Sequence, residues 1–356
     1  MMHLEYIVWK LRSKFIREHK IFHVNNTLNI NPKKIVYCSL KKFNLFNDTG
    51  KVIKGNWDKL EKKFENLDEF KSLEKSLKKN KNWEKNVIYS AHNNQTIYKD
   101  EVSINIGRNG DLLFNDGVYK LSQAKLLKFP TIPVRIVVRH PKWVKFKKEL
   151  LAACQETDGK IYHPVNHPDF LNIPVLYDDY RFHLIKDNLS VKKGKLLDIG
   201  AHLGYFCHRF EDEGFDCYAV EYNLKCVYLL RKLRKAENKK YKIIPQSIFK
   251  FKRGENLEFD VVLALNIFHH FLKTKKSYEM LITLLERLKM EELYLQTHNP
   301  HESQMEGAYK NYEPIEFVDF ILQHSCLTES KLIGITPNDR HIYKLYKHHA
   351  RDIKNY

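Results

Sequence analysis

What the chain lacks narrows its function first. Six cysteines (Cys38, Cys154, Cys207, Cys217, Cys226, Cys326) are scattered through 356 residues with no Cys-x-x-Cys pair. That spacing argues against a zinc site or a disulfide framework and reads as reduced, partly buried thiols, so no metal is expected. No run of about 18 uncharged apolar residues occurs, so no membrane span is expected. The opening stretch "MMHLEYIVWKLRSKFIREHK" interrupts its apolar positions with charge and meets no small-residue cleavage site. This is not the layout of a signal peptide, and a cytoplasmic protein is the expectation. Neither a Gly-Lys-Ser/Thr phosphate loop nor a G-x-G-x-x-G dinucleotide fingerprint is present where a ligand loop is expected.

What is there describes a folded chain long enough for two domains. Hydrophobic residues make up 43% of it, including 21 Phe and 20 Tyr. The net charge of +18 is uneven: residues 1–150 hold 31 Lys+Arg against 15 Asp+Glu, whereas residues 151–356 hold 30 against 28. A basic N-terminal part suits phosphates, nucleic acid or an anionic membrane surface. Only 13 of the 61 basic residues are Arg, the usual bidentate phosphate ligand, so a biased composition explains the charge as well.

Leu4, Ile7, Val8, Leu11, Phe15 and Ile16 fall at helical spacing. They predict a core-facing helix, with a helix lying on a membrane surface as the alternative. Turn signals at 48–50 and 55–56 precede Trp57, a core candidate, and a polar helix is expected over 66–80. The stretch 103–140 predicts a strand at 103–106, an Asn-Gly turn at 109–110 and an apolar run at 112–114. A helix opening at Asp116-Gly117 and a strand at 132–139 complete it.

Proline-rich text within 151–180 reads as a connection, and prolines after His163 and His167 argue against a helical metal pair there. Beyond it strands and helices alternate: 195–199, helix 204–213, 216–221, helix 224–237, 241–245, 259–265, helix 275–288, 291–296. The order predicts an α/β domain with a parallel sheet flanked by helices.

Residues 195–206, "KLLDIGAHLGYF", form the first strand-to-helix loop of that domain. Ligands of open α/β sheets bind at the carboxyl ends of strands, so this is a small-molecule position. Asp198 precedes Gly200 by two residues, and Gly204 follows four later. An acid there repels a pyrophosphate and suits a ligand with a positive amino group. The pattern Asp198-x-Gly200-x-x-x-Gly204 resembles the nucleoside-binding motif of class I S-adenosylmethionine-dependent methyltransferases. A second acid, Glu221, ends the next strand, where a ribose diol is gripped in such folds.

The resemblance implies a Rossmann-like seven-stranded sheet over 181–356, S-adenosylmethionine as cofactor, and Glu221 on its ribose. It also places Gln246, Ser247 and Ile248 near the adenine, and "HIYKLYK" (341–347) as the last, antiparallel strand. Arg181, before the first strand, is a candidate for the cofactor carboxylate.

The loop after the fourth strand, "FDVVLALNIFHHFL" (259–272), faces the transferable methyl in this family. It lacks the Asn/Asp-Pro-Pro-aromatic signature of DNA amino-methylating enzymes, and the chain has no Pro-Cys nucleophile for C5 of pyrimidines. Asn266, His269 and His270 remain. A histidine suits the removal of a hydroxyl proton during methyl transfer, so His269 and His270 are the catalytic candidates, His269 first because it comes nearer the strand end. His298 and Glu302 in "LQTHNPHESQ" are candidates for the acceptor pocket.

The stretch "LFNDGVYKLSQAKLLKFPTIPVRIVV" resembles the ParB/sulfiredoxin-like fold over about 85–140. That group binds nucleotide phosphates at an Asp-Gly-x-His-Arg-like turn opening a helix. Asp116 and Gly117 match, Tyr119 replaces His, and Lys120 replaces Arg as a point charge for phosphate.

The expected chain is thus a smaller basic α+β domain (1–150), a connection (151–180) and a methyltransferase domain. Three functions stay open. The first is O-methylation of a small molecule, sugar or lipid-linked acceptor. The second is RNA modification on the basic platform. The third is nucleotide binding or protein interaction with a vestigial methyltransferase domain.

Overall fold

The computed structural model describes residues 27–35, 102–117, 121, 124, 125 and 129–348. The expectations for residues 4–20, 48–57, 66–80, Tyr119 and Lys120 lie outside them. So does most of the helix expected after Gly117. The chain divides into two units. Lys160–Val165 and everything from Pro174 onward belong to one, and Asn166–Ile173 belongs with the N-terminal residues to the other. The proline-rich connection therefore contributes to both.

Among the described residues the N-terminal unit holds a sheet of four strands, β1 (Thr27–Ile30), β2 (Ser103–Ile106), β3 (Leu112–Asp116) and β4 (Ile132–Arg139), in the order β1-β4-β2-β3. The Asn-Gly turn forms as expected. Gly107 N–H donates to Asp111 O at 2.8 Å, and β2 pairs antiparallel with β3. Helix α1 (Pro141–Cys154) follows β4, capped by His140 Nδ1, which accepts from Lys142 N–H. Trp143, Phe146 and Leu150 bury its inner stripe. The buried Asp169 carboxylate takes a bidentate Arg139 guanidinium and the Trp143 indole N–H.

The C-terminal unit is an α/β sandwich. Helices α2 (Tyr180–Asn188), α3 (Tyr205–Asp212), α4 (Leu224–Ala236), α5 (Lys275–Arg287) and α6 (Pro314–Gln323) flank one sheet. Its strands are β5 (Lys195–Ile199), β6 (Asp216–Val220), β7 (Lys242–Ile244), β9 (Val261–Ala264), β11 (Glu292–Gln296), β12 (Glu329–Ile335) and β13 (His341–Tyr346). They lie in the order β12-β13-β11-β9-β5-β6-β7, with β13 antiparallel to both neighbours.

Nearly every predicted element of this unit is present within two residues. The expected strand 259–265 is shortened at its start. Leu257–Glu258 (β8) instead pairs with Leu288–Lys289 (β10), and the Asp260 carboxylate turns back to the Lys195 N–H. The edge strand β12 had no sequence signal, because its exposed and half-buried residues give no clean alternation.

Both faces of the sheet are apolar because its strands are covered on both sides. Leu197, Ile199, Val262 and Leu295 pack with Leu281 and Leu285 of α5 and Phe317 of α6. Leu196, Ala219, Val261 and Leu263 pack on the other face with Phe182 of α2, Phe210 of α3 and Leu230 of α4. Cys226, Val227, Leu230 and Leu233 form the inner stripe of α4, whose N-cap Asn223 accepts from Lys225 and Cys226 N–H. No helix among the described residues is long and apolar enough to cross a membrane.

Candidate functional site

The carboxyl ends of β5, β6, β7, β9 and β11 gather the predicted residues at one edge of the sheet. Leaving β5, the chain turns through Gly200 at φ +78°, and the Gly200 and Ala201 N–H groups both donate to Val220 O, at 2.9 and 3.0 Å. A Cβ on Gly200 would meet the Ile267 side chain at 3.1 Å. Gly204, at φ +80°, opens α3, and a Cβ there would lie 2.6 Å from the Tyr241 hydroxyl. Both glycines are therefore required by conformation and by space.

Glu221 ends β6 and reaches back to this loop. One carboxylate oxygen accepts the His202 N–H at 2.9 Å, and the other accepts the Asn223 N–H at 2.7 Å. Burial pushes its pKa up, against those backbone donors. The Tyr222 backbone N–H acts on it as well, and the carboxylate keeps acceptor capacity for a ligand hydroxyl. Asp198 is 3% exposed, and its side-chain partner is the Cys207 thiol, 3.9 Å away. Burial, and then the charge of Glu221, push its pKa up to about 7.

Arg181, on α2, is also buried. It donates to Gln296 Oε1 at 2.9 Å, contacts His163 Nε2, and lies 4.3 Å over the Tyr177 ring. Among the described residues no carboxylate forms an ion pair with it. Ser247 stands after β7, at the N-cap of the single turn Ile248–Lys250, without a capping bond from its side chain.

Opposite this loop lies the segment after β9. Asn266 sits at φ +58°, and its Oδ1 accepts from Arg340 at 2.6 Å while its Nδ2 donates to the Tyr162 hydroxyl at 3.2 Å. Arg340 also grips Glu302 with two N–H groups, the Nε–Oε1 contact being 2.6 Å. Burial raises the Glu302 pKa, but hydrogen bonds from Arg340 and Gln304 outweigh it and hold the carboxyl down to about 2.

His269 and His270 share a short turn (Phe268–Leu272) with ring centroids 4.1 Å apart. His269 is 2% exposed, whereas His270 faces solvent. Burial comes first in lowering both, to about 2 for His269 and about 4 for His270; the charges of Lys273 and Arg340 further depress His270. Both are neutral imidazoles near pH 7. His298 is fully buried and its Nε2 pairs with Asn311 Oδ1 at 2.9 Å.

Asp116 and Gly117 belong to the other unit, where the Asp116 carboxylate accepts the Gly117 N–H at 2.8 Å. The sequence reading missed Tyr162, Tyr177 and Arg340. Their local spacing carries no motif; the one usable signal was an arginine beside the final strand in a chain poor in arginine.

Comparison with known proteins identifies the domain that carries this site. The sequence profile of a methyltransferase domain matches residues 177–331. These residues are a methyltransferase domain. No curated protein matches the chain. Among solved structures it is similar to the bifunctional kinase-methyltransferase WbdD, at 20% identity over 56% of this chain and 46% of WbdD, with a TM-score of 0.45. It is also similar to magnesium protoporphyrin IX methyltransferase (ChlM) from Synechocystis PCC 6803 with bound SAM, at 14% identity over 47% of this chain and 76% of that one, with a TM-score of 0.36. The N-methyltransferase NodS from Bradyrhizobium japonicum WM9 matches at 14% identity over 48% of this chain and 94% of NodS, with a TM-score of 0.38. The chain spans about half the length of WbdD.

The cofactor of the methyltransferase domain is S-adenosylmethionine, and the residues at the strand ends fit it. Among the described residues Asp198 is a buried carboxylate without a cation and Arg181 a buried guanidinium without a carboxylate, and such a pair suits a zwitterionic amino-acid group. Glu221, with open lone pairs, suits a ribose diol.

Proposed function

We propose that the protein transfers a methyl group from S-adenosylmethionine to a hydroxyl of a small-molecule, sugar or lipid-linked acceptor. Asp198, Gly200, Gly204, Glu221, Ser247, Asn266 and Arg181 hold the cofactor in this reading. When bound, S-adenosylmethionine supplies an electrophilic methyl group. The chain supplies position and a proton acceptor.

The observation that carries the hydroxyl acceptor is the turn Phe268–Leu272 at the end of β9. It presents one exposed imidazole, His270, backed by a buried one, His269, and both are unprotonated near neutral pH. A neutral imidazole accepts the proton that a hydroxyl loses as its oxygen attacks. His270 is the group that reaches solvent, and His269 supports its ring. Arg340 and Glu302 neutralise each other beside this turn, and Asn266 is fixed by Arg340.

In the N-terminal unit, the Asp116–Gly117 turn is in keeping with a ParB/sulfiredoxin-like fold that binds an anionic group. The charge excess in residues 1–150 supports RNA as the second acceptor class.

The test is a screen of hydroxylated small molecules and of RNA for conversion of S-adenosylmethionine to S-adenosylhomocysteine. His270→Ala is expected to lower turnover by about 10²–10⁴-fold while leaving cofactor affinity within about twofold. Turnover on RNA alone, or an unchanged rate in the His270 variant, overturns the reading.

A further inference from the structure

The turn that carries His269 and His270 runs into α5 through Lys273, and the loop after β11 is pinned alongside it. Tyr309 N–H donates to Lys273 O at 3.2 Å, and Lys310 N–H donates to Leu272 O at 3.1 Å. In a 3₁₀ turn residues three apart lie on one side, so Lys273 follows His270 on the same side. Tyr309 is 43% exposed, with the Lys310 ammonium 5.7 Å and the Tyr278 ring 5.5 Å from its ring centre. An exposed imidazole, an exposed phenol ring and two ammonium groups thus share one stretch of surface.

The fold gains nothing from these cations. Lys273, Lys275 and Lys276 stand at the start of α5, where the helix dipole disfavours positive charge, and the first turn holds no acid to offset them. Lys275 reaches Glu279 at 4.0 Å, whereas Lys273, Lys276 and Lys310 meet no carboxylate among the described residues. The helix end is not itself the anchor, because Thr274 Oγ1 already accepts the Ser277 N–H. Lysines act as point charges and suit phosphate, and a phosphate monoester carries about 1.5–2 negative charges near pH 7, enough for two ammonium groups. Such a group also makes a better base of its neighbour. After burial, the Lys273 charge is the next cause that holds the His270 pKa low, and an anion beside Lys273 cancels it. The Tyr309 ring offers a flat apolar face to the carrier of the phosphate. A sugar ring fits there, with C–H groups on its face and hydroxyls at its edge.

We propose that Lys273 and Lys310 hold the phosphate of a phosphorylated sugar, whose ring lies on Tyr309 and whose free hydroxyl meets His270. The inference rests on His270 serving a hydroxyl acceptor, and it narrows that acceptor to a sugar phosphate.

The test is calorimetry on the full chain saturated with S-adenosylhomocysteine, titrated with glucose 6-phosphate, glucose 1-phosphate, glucose and inorganic phosphate. At least one sugar phosphate is expected to bind about tenfold tighter than both glucose and inorganic phosphate. Replacing both lysines, Lys273→Gln with Lys310→Gln, should weaken it about tenfold, the loss of two partly solvated ionic contacts. Tyr309→Ala keeps its backbone N–H and should weaken it about threefold. Arg231→Gln with Lys235→Gln removes the same charge from the exposed side of α4 and should leave it within about twofold. Unfolding without ligand checks that each variant folds. Sugar phosphates no tighter than glucose, or no tighter than inorganic phosphate, overturn the proposal. An unchanged affinity in the Lys273 and Lys310 variant does so too, as does an equal loss in the α4 variant. The hydroxyl-transfer reading survives these failures, since it stands on S-adenosylhomocysteine formation and its loss in His270→Ala. A chain that takes up no S-adenosylhomocysteine overturns both.

Discussion

Asp198 and Glu302 are carboxylates of one unit brought to two very different conditions. Asp198 is buried beside a second acid, with a thiol for a partner, and its proton leaves only near pH 7. Glu302 is less buried and gripped by Arg340, and it stays ionised down to about pH 2. The charges of Glu302 and Arg340 are settled within the protein, whereas among the described residues the charge at the end of β5 meets no cation. Binding sites are where folding leaves such charges unmet. The contrast separates a part of the site that is structurally complete from a part that needs its ligand.

The largest effect that sharpens this contrast comes from removing the unmet charge. Asp198→Asn should weaken S-adenosylmethionine by about 10–100-fold in calorimetry, the loss expected for a charge-assisted bond. The same variant should stabilise the cofactor-free protein at pH 8. An acid whose folded pKa is raised above its unfolded value costs stability that is absent below about pH 4, grows as pH rises, and is complete above about 7. Thermal unfolding at pH 4 and pH 8 reads this. An asparagine variant no more stable than wild type at pH 8 breaks the comparison.

Gly204→Ala follows in size. It forces a Cβ against the Tyr241 hydroxyl at φ +80°. A loss on the order of 2 kcal/mol is expected from strain at the positive φ and the displaced side chain. Thermal unfolding of the cofactor-free protein measures it, and an unchanged melting temperature contradicts the tight helix entry.

Glu302→Gln probes the settled side. Its folded pKa lies below its unfolded value, so its contribution is present above about pH 4.5 and is lost as pH falls through about 2. At pH 7 the variant should lose about 1–2 kcal/mol, a modest figure because the pair is partly exposed. Below pH 2 variant and wild type should converge. Cofactor affinity should hold within about threefold; a loss as large as that of Asp198→Asn would erase the distinction between the two ends.

How much of this was legible in the sequence follows the same division. Asp198, Gly200, Gly204 and Glu221 act within a single strand-helix-strand unit, where spacing along the chain fixes spacing in space, so the string "DIGAHLG" betrays the loop. The positive φ at both glycines is the physical reason for their type. The settled side is built from partners far apart in sequence: Arg340 with Asn266, and Asn266 with Tyr162. No local period encodes such pairs. His269 and His270 were visible as residue types, but not that one is buried and the other exposed. In the N-terminal unit, β2 and β4 showed in their apolar patterning, while β1, four residues of "TLNI", was too short to signal itself.

Ser247 gives the smallest effect and the finest test of the comparison. Its side chain does not cap the turn that follows it, so the fold asks little of it. Ser247→Ala should leave the melting temperature unchanged, since surface and half-buried substitutions without a named contact stay within about 0.5 kcal/mol. If the hydroxyl meets the adenine, calorimetry should show two- to fourfold weaker S-adenosylmethionine, about the worth of one neutral hydrogen bond on a partly solvated edge. That loss, with stability untouched, would mark the residue as belonging to the end of the site that waits for its ligand. Unchanged affinity would move the edge of the cofactor site back to Glu221.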